Sequence, residues 1–76
     1  MMKMTVDLHG LMVYEAKIVL DRFLERLPKG VVEVAVIHGY QSGVRLRTFV
    51  SKYEHHKVTG KIKTVNPGET IFIIKR

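Results

Sequence analysis

The sequence predicts an α/β fold of order βαβαββ, in which one sheet carries two helices on one face. Three observations predict it. Two segments repeat apolar residues at three- and four-residue steps, the period of amphipathic helices. Four others are short and either β-branched or alternating, as strands are. Two of those strands, Val6-Asp7-Leu8-His9-Gly10 and Val34-Ala35-Val36-Ile37-His38-Gly39, end in His-Gly and run straight into helical pattern.

Met4 to His9 reads as the first strand, ended by Gly10. Val13, Ala16, Leu20, Phe23 and Leu27 then form a helical stripe that Leu24 widens. Pro28-Lys29-Gly30 stops that helix, because proline cannot donate into it and glycine accepts a left-handed cap. Val31 to Ile37 is almost uninterrupted in apolar character, which predicts a strand buried on both faces in a parallel sheet. After a loop from His38 to Gly43, Leu46, Phe49, Val50 and Tyr53 mark a second helix, with Ser42 as its expected N-cap. Lys61-Ile62-Lys63-Thr64-Val65 alternates as a strand with one wet face does. Asn66-Pro67-Gly68-Glu69 sets proline then glycine at the centre of a turn, the type II preference, and Thr70 to Ile74 closes the chain as a strand. Strand–helix–strand crossovers are right-handed, so both helices are expected on one face and both His-Gly corners on one rim of the sheet. That carboxyl-end rim is where open α/β sheets take their ligands.

Seventy-six residues, 46% of them apolar, make one domain, residues 1–76. The absence of cysteine excludes disulfides, thiolate metal sites and cysteine nucleophiles. No apolar run approaches the roughly 20 residues of a membrane span. Asp7 comes too early for a signal peptide, so a protein of the cytoplasm with no membrane partner is expected. The net charge of +6 is unevenly placed. Up to Gly39, Lys3, Lys17, Arg22, Arg26 and Lys29 cancel Asp7, Glu15, Asp21, Glu25 and Glu33. Beyond it Arg45, Arg47, Lys52, Lys57, Lys61, Lys63, Lys75 and Arg76 face only Glu54 and Glu69. A one-sided basic excess favours a polyanion, because bound phosphates release condensed counterions; plain solubility is the competing reading.

Few residues here carry chemistry. Asp7 and His9, two apart on a strand, share a face. A carboxylate there could orient the imidazole for proton transfer at a phosphodiester, or merely cap the following turn. The glycines of His38-Gly39-Tyr40-Gln41-Ser42-Gly43 could admit a phosphate to backbone N–H groups, or only relieve strain. Tyr40 could stack on a base or pack over the sheet edge. Arg45 and Lys52, seven apart, share a helical face that Arg47 does not; Lys61 and Lys63 share a strand face. All could meet phosphates, although a solvated face is the ordinary fate of a lysine. His55-His56 are adjacent, poor geometry for two ligands on a helix, so no metal site is expected.

These residues together resemble a known family. Val6-Asp7-Leu8-His9-Gly10, followed by Glu15-Ala16 and a helix ending near Phe23-Leu24, resembles the Leu-Asp-Leu-His-Gly opening of Smr (small MutS-related) domains. Ile37-His38-Gly39 with Gly43 and Leu46-Arg47 resembles their second signature, His-Gly-x-Gly-x-Gly before Leu-Arg. Asn66-Pro67-Gly68-Glu69-Thr70 is similar to their final hairpin. Two departures stand out: Gln41 replaces the middle glycine, and one extra residue separates Gly43 from Leu46-Arg47.

The resemblance implies a free-standing Smr domain with a two-layer βαβαββ sandwich, its four-stranded sheet mixed, similar to the C-terminal domain of bacterial translation initiation factor three. It implies nucleic-acid binding, to RNA or DNA, with the ribosome among the partners of some members. In several members it implies endonuclease activity through the Asp-x-His pair. Carried onto this chain, Asp7 and His9 are the expected catalytic pair with His38 beside them. The resemblance maps His38, Gly39 and Gly43 to the substrate-facing loop; together with the residues read above from charge and spacing, this makes Gly39, Tyr40, Ser42, Gly43, Arg45, Arg47, Lys52, Lys61 and Lys63 the expected binding residues. No cofactor is expected, a divalent metal being left open. A non-catalytic RNA- or ribosome-binding module, favoured by Gln41, and a protein–protein adaptor are the alternatives.

Overall fold

The computed structural model describes residues 2–40 and 44–76. Its elements are β1 (Met2–Asp7), α1 (Val13–Glu25), β2 (Val31–Ile37), α2 (Val44–Lys52), β3 (Val58–Lys63) and β4 (Glu69–Ile74). They form a mixed four-stranded sheet of order β1-β2-β4-β3. β1 pairs with β2 in parallel, and β4 runs antiparallel to both β2 and β3. The chain therefore steps the same way along the sheet at each crossover, which puts both helices over one face.

The two layers meet in one core. Ala16, Leu20 and Leu24 of α1 and Leu46 and Val50 of α2 pack on Val6, Leu8, Val34, Val36, Phe72 and Ile74. The buried α1 stripe is narrower than the sequence suggests, since Val13 is exposed and Phe23 and Leu27 only flank the core. In β2 the burial alternates: Val34 and Val36 are fully buried, whereas Ala35 and Ile37 are only half-buried. The expected double burial is thus corrected. With both helices on one side, the other face of the sheet meets solvent.

Helix ends show how local chemistry sets the boundaries. The Met12 N–H donates to the Glu15 carboxylate at 2.8 Å, satisfying one orphan donor where α1 begins. At the other end, the Lys57 ammonium donates to the carbonyls of Leu24 (2.8 Å) and Glu25 (3.2 Å). The Lys61 ammonium does the same for α2, donating to Ser51 O at 2.8 Å and to Tyr53 O. Cations at helix C-termini satisfy terminal carbonyls and complement the negative end of the macrodipole.

Strand β3 begins three residues before the alternating run, at Val58, and its register shifts between Val58 and Gly60. The pairing Lys61↔Phe72 and Lys63↔Thr70 turns both lysines to the helix side, leaving Ile62 half-exposed on the open face. The sequence had suggested the reverse. The turn into β4 is closed by Glu69 N–H donating to Asn66 O at 3.2 Å, but Gly68 lies outside the left-handed region that a type II turn requires. Asn66 Oδ1 instead accepts the Gly68 N–H at 2.9 Å. Glycine is needed at 68 for space, because a Cβ there would lie 3.2 Å from the carbonyl carbon of Gly39.

Lys61 gives a direct test of this architecture. Lys61→Met keeps the aliphatic stem but removes both bonds to α2. The expected loss is on the order of 1–2 kcal/mol in urea unfolding, with nucleic-acid affinity within about twofold of native. A large affinity loss with unchanged stability would contradict the capping role.

Candidate nucleic-acid interface

β1 and β2 end side by side, with Asp7 opposite Ile37 and Ile37 opposite Glu69. Both His-Gly corners therefore open on one rim. β1 itself stops at Asp7, two residues sooner than expected, although Leu8 N–H still donates to Ile37 O at 2.7 Å. His9 thus sits just past the strand.

There Asp7 Oδ1 accepts two hydrogen bonds from one residue: the His9 backbone N–H at 3.0 Å and the His9 Nδ1–H at 2.6 Å. The carboxylate can only accept, so the ring proton belongs on Nδ1 and the lone pair on Nε2. Both side chains are more than half exposed, and no described residue bonds Nε2. The His9 side-chain and backbone bonds hold the Asp7 carboxyl below its ordinary value of 3.8. The pair has the shape of an oriented proton acceptor, and it also caps its own turn; both readings of Asp-x-His are present in one geometry.

Gly39 lies against His9. Its φ of 88° is in the left-handed region, and a Cβ there would stand 3.3 Å from His9 Cβ. Glycine at 39 therefore does two things: it permits the turn and lets the second corner approach the first. Gly68 then packs on the far side of Gly39.

His38 has a different place from the one expected. Its side chain is 1% exposed, with Nδ1 bonded to Gly39 O at 3.2 Å and Nε2 to the Thr70 hydroxyl at 3.0 Å. A carbonyl accepts only, so Nδ1 carries the proton and the Thr70 O–H donates to Nε2. Both nitrogens are spent inside the protein, which makes His38 a positioning residue rather than a substrate contact. Nor are the amides of this corner free: the His38 and Gly39 N–H groups both donate to Gly68 O, at 2.9 and 3.1 Å.

Burial pulls the His38 pKa below 6.5; the Gly39 carbonyl opposes this and the charge of Arg47 adds to it. The unfolded chain therefore takes up a proton near pH 6.5 that the folded chain refuses. Stability is full above that value and falls as pH drops below it. Urea midpoints taken from about pH 7.5 down to pH 5 should decline, and His38→Gln should flatten the decline while lowering the midpoint at neutral pH. An equal decline in the variant would show that His38 does not set it.

The predicted bases are sorted by the fold. Arg47 and Lys63 are exposed and line a groove of about 620 Å³ between α2 and the β3–β4 hairpin, with Thr48, Ser51, Thr64, Asn66 and the edge of His38. Lys61 lines the same groove, but its ammonium is tied to α2, and burial lowers its pKa against the pull of Glu54. Arg45 and Lys52 are exposed on the other side of α2, along a groove shared with Val13 and Lys17 of α1. Their common face, and its separation from Arg47, are as the spacing predicts. Tyr40 is 63% exposed. Gln41, Ser42 and Gly43 lie outside the described residues.

Spacing gave no signal for some neighbours. Asn66 is visible only once the hairpin is folded. The Tyr53 hydroxyl donates to Asp21 at 2.5 Å across 32 positions of chain, and Lys17 and Tyr53 together lower the Asp21 pKa. His55 and His56 lie beyond the end of α2, so the helical objection to a metal does not apply to them. With Glu25 they bring ligand atoms within 4.8 Å of one another. No helix of the described residues is long and apolar enough to cross a membrane.

No curated protein and no solved structure matches the chain. The Smr domain family model matches residues 6–69 of the 76, a span that opens on Val6-Asp7-Leu8-His9-Gly10 and reaches the Gly68-Glu69 corner. With both His-Gly corners on one rim and that match over most of its length, the chain belongs to the Smr domain family.

Proposed function

We propose that this Smr domain binds nucleic acid across the His-Gly rim and cleaves it there as an endonuclease. The observation that carries the reading is the 2.6 Å bond between Asp7 Oδ1 and His9 Nδ1, which leaves the basic nitrogen of an exposed ring facing outward. In the step proposed, His9 Nε2 takes the proton of an attacking hydroxyl, either a ribose 2′-hydroxyl or water. The freed oxygen lone pair forms a bond to phosphorus, the bond to the leaving oxygen breaks, and that oxygen is protonated by the imidazolium or by solvent. Asp7 holds the ring and balances its charge while it carries the proton. Arg47 and Lys63 would hold the flanking phosphates.

One observation favours a second reading, binding without cleavage. The described amides of the second corner are occupied by Gly68 O, so they do not cradle a phosphate. Among the described residues of this corner, charge development at phosphorus would then rest on side-chain cations.

Purified protein incubated with structured RNA, single-stranded DNA and supercoiled plasmid separates the two readings, beside an Asp7→Asn/His9→Ala double variant. Cleavage that disappears in the folded double variant supports the endonuclease and identifies its substrate class. Salt-sensitive binding by both proteins without any cleavage sinks the first reading and leaves the second. In either case Arg47→Ala and Lys63→Ala should each weaken binding and reduce the slope of log affinity against log salt by about 1. Unchanged slopes would remove that groove from the interface.

A further inference from the structure

At the end of the sheet opposite the His-Gly rim, chain topology gathers three metal-ligating side chains from two distant segments. α1 returns from the rim, so Glu25 at its end lies beside the strand starts; the segment before β3 arrives at the same edge with His55 and His56. His55 Nε2 and Glu25 Oε2 are 2.5 Å apart, and the His56 ring stacks on His55 with centroids 4.5 Å apart. The ligand atoms of all three residues lie within 4.8 Å of one another.

We infer that Glu25, His55 and His56 form a binding site for a late first-row divalent cation such as Zn²⁺. Two imidazoles and one carboxylate are a donor set these cations favour. Metal–ligand distances of about 2.0–2.2 Å require the donors to close in on the anchored His55 ring, which the exposed Glu25 and His56 side chains would do by rotation. His55 is the anchored member: its side chain is only 8% exposed. In the metal-free ring Nδ1 accepts the Lys57 N–H at 3.1 Å, so Nε2 carries the proton shared with Glu25. The cation takes that proton's place on Nε2, the ring proton moves to Nδ1, and the Lys57 amide turns away from it. The Lys57 ammonium is held on the Leu24 and Glu25 carbonyls, and the Asp21 carboxylate faces His55. A bound ion would pin the end of α1 to the entry of β3 across 30 positions of chain, in a domain small enough to gain from a staple.

The test is a calorimetric titration of the full chain with Zn²⁺, paired with thermal unfolding and amide NMR. The expected result is one Zn²⁺ per chain, a Tm rise of about 5 °C or more at saturation, and movement of the Lys57, His55 and His56 amides while His9 stays put. His56→Ala and Glu25→Gln alter exposed groups and should each weaken binding at least about tenfold, the least expected even for groups that only orient a ligand. The Asp7→Asn/His9→Ala double variant should bind as the native chain does. Absence of Zn²⁺ binding, binding untouched by His56→Ala and Glu25→Gln, or binding lost in the rim variant would each overturn the assignment.

Discussion

Replacing Phe72 with alanine is expected to lower the unfolding free energy by about 3–5 kcal/mol, the usual range for removing a fully buried phenyl ring. Phe72 is 0% exposed on β4, a central strand of the sheet. Its ring stacks on Tyr53 at 6.0 Å and 6°, and the Lys61 ammonium lies 5.6 Å above it. The substitution leaves a cavity and also loosens Tyr53, which holds Asp21 of α1, and Lys61, which closes α2. Collapse of the cavity would have to drag both helices inward, so little relaxation is expected. Domains this small have total stabilities near the lower end of about 5–15 kcal/mol, and the variant should be substantially unfolded at low urea. The check is a urea titration followed by circular dichroism, with the slope unchanged and the midpoint shifted. A loss below about 1 kcal/mol would show that the aromatic stack is not central to the core.

The second large effect is on turnover. If the chain cleaves as proposed, His9→Ala should lower kcat/KM by about 10²–10⁴ with affinity unchanged, since a positioned general base contributes in that range. Asp7→Asn should cost less. An amide oxygen can still accept the His9 N–H groups, so the ring keeps its orientation while losing the charge that stabilises its protonated form. The two variants are therefore ranked, with His9→Ala below Asp7→Asn in kcat/KM. Equal losses in both, or losses that appear as KM alone, would reassign the pair to substrate binding. His38→Gln is the control, because His38 acts through the shape of the corner and should change stability more than kcat/KM.

Much of the fold could be read from residue order. The steps of Ala16, Leu20 and Leu24 and of Leu46 and Val50 show which helix faces are buried. The β-branched runs and the two His-Gly corners are local patterns that neighbouring residues specify unaided. The Asp7–His9 pair was legible because its two members are neighbours in the chain, although His9 lies just past the strand and a bond from its own N–H to Asp7, rather than a shared strand face, brings the ring in.

What residue order could not supply is which side chains and backbone groups far apart in the chain would bond to one another. A lysine in an alternating strand reads as a solvated phosphate contact, yet Lys61 closes a helix because β4 lifts it under α2. A His-Gly loop reads as a phosphate cradle, yet Gly68, 29 positions on, occupies its amides, and Thr70 takes the His38 ring, 32 positions on. A His-His pair reads as poor metal geometry until Glu25 arrives from the end of another helix. Apolar periodicity is set by neighbours three or four residues apart, and the chain carries that information along its length. Hydrogen-bond partners across the sheet depend on strand order and register, and these exist only once the tertiary structure has formed.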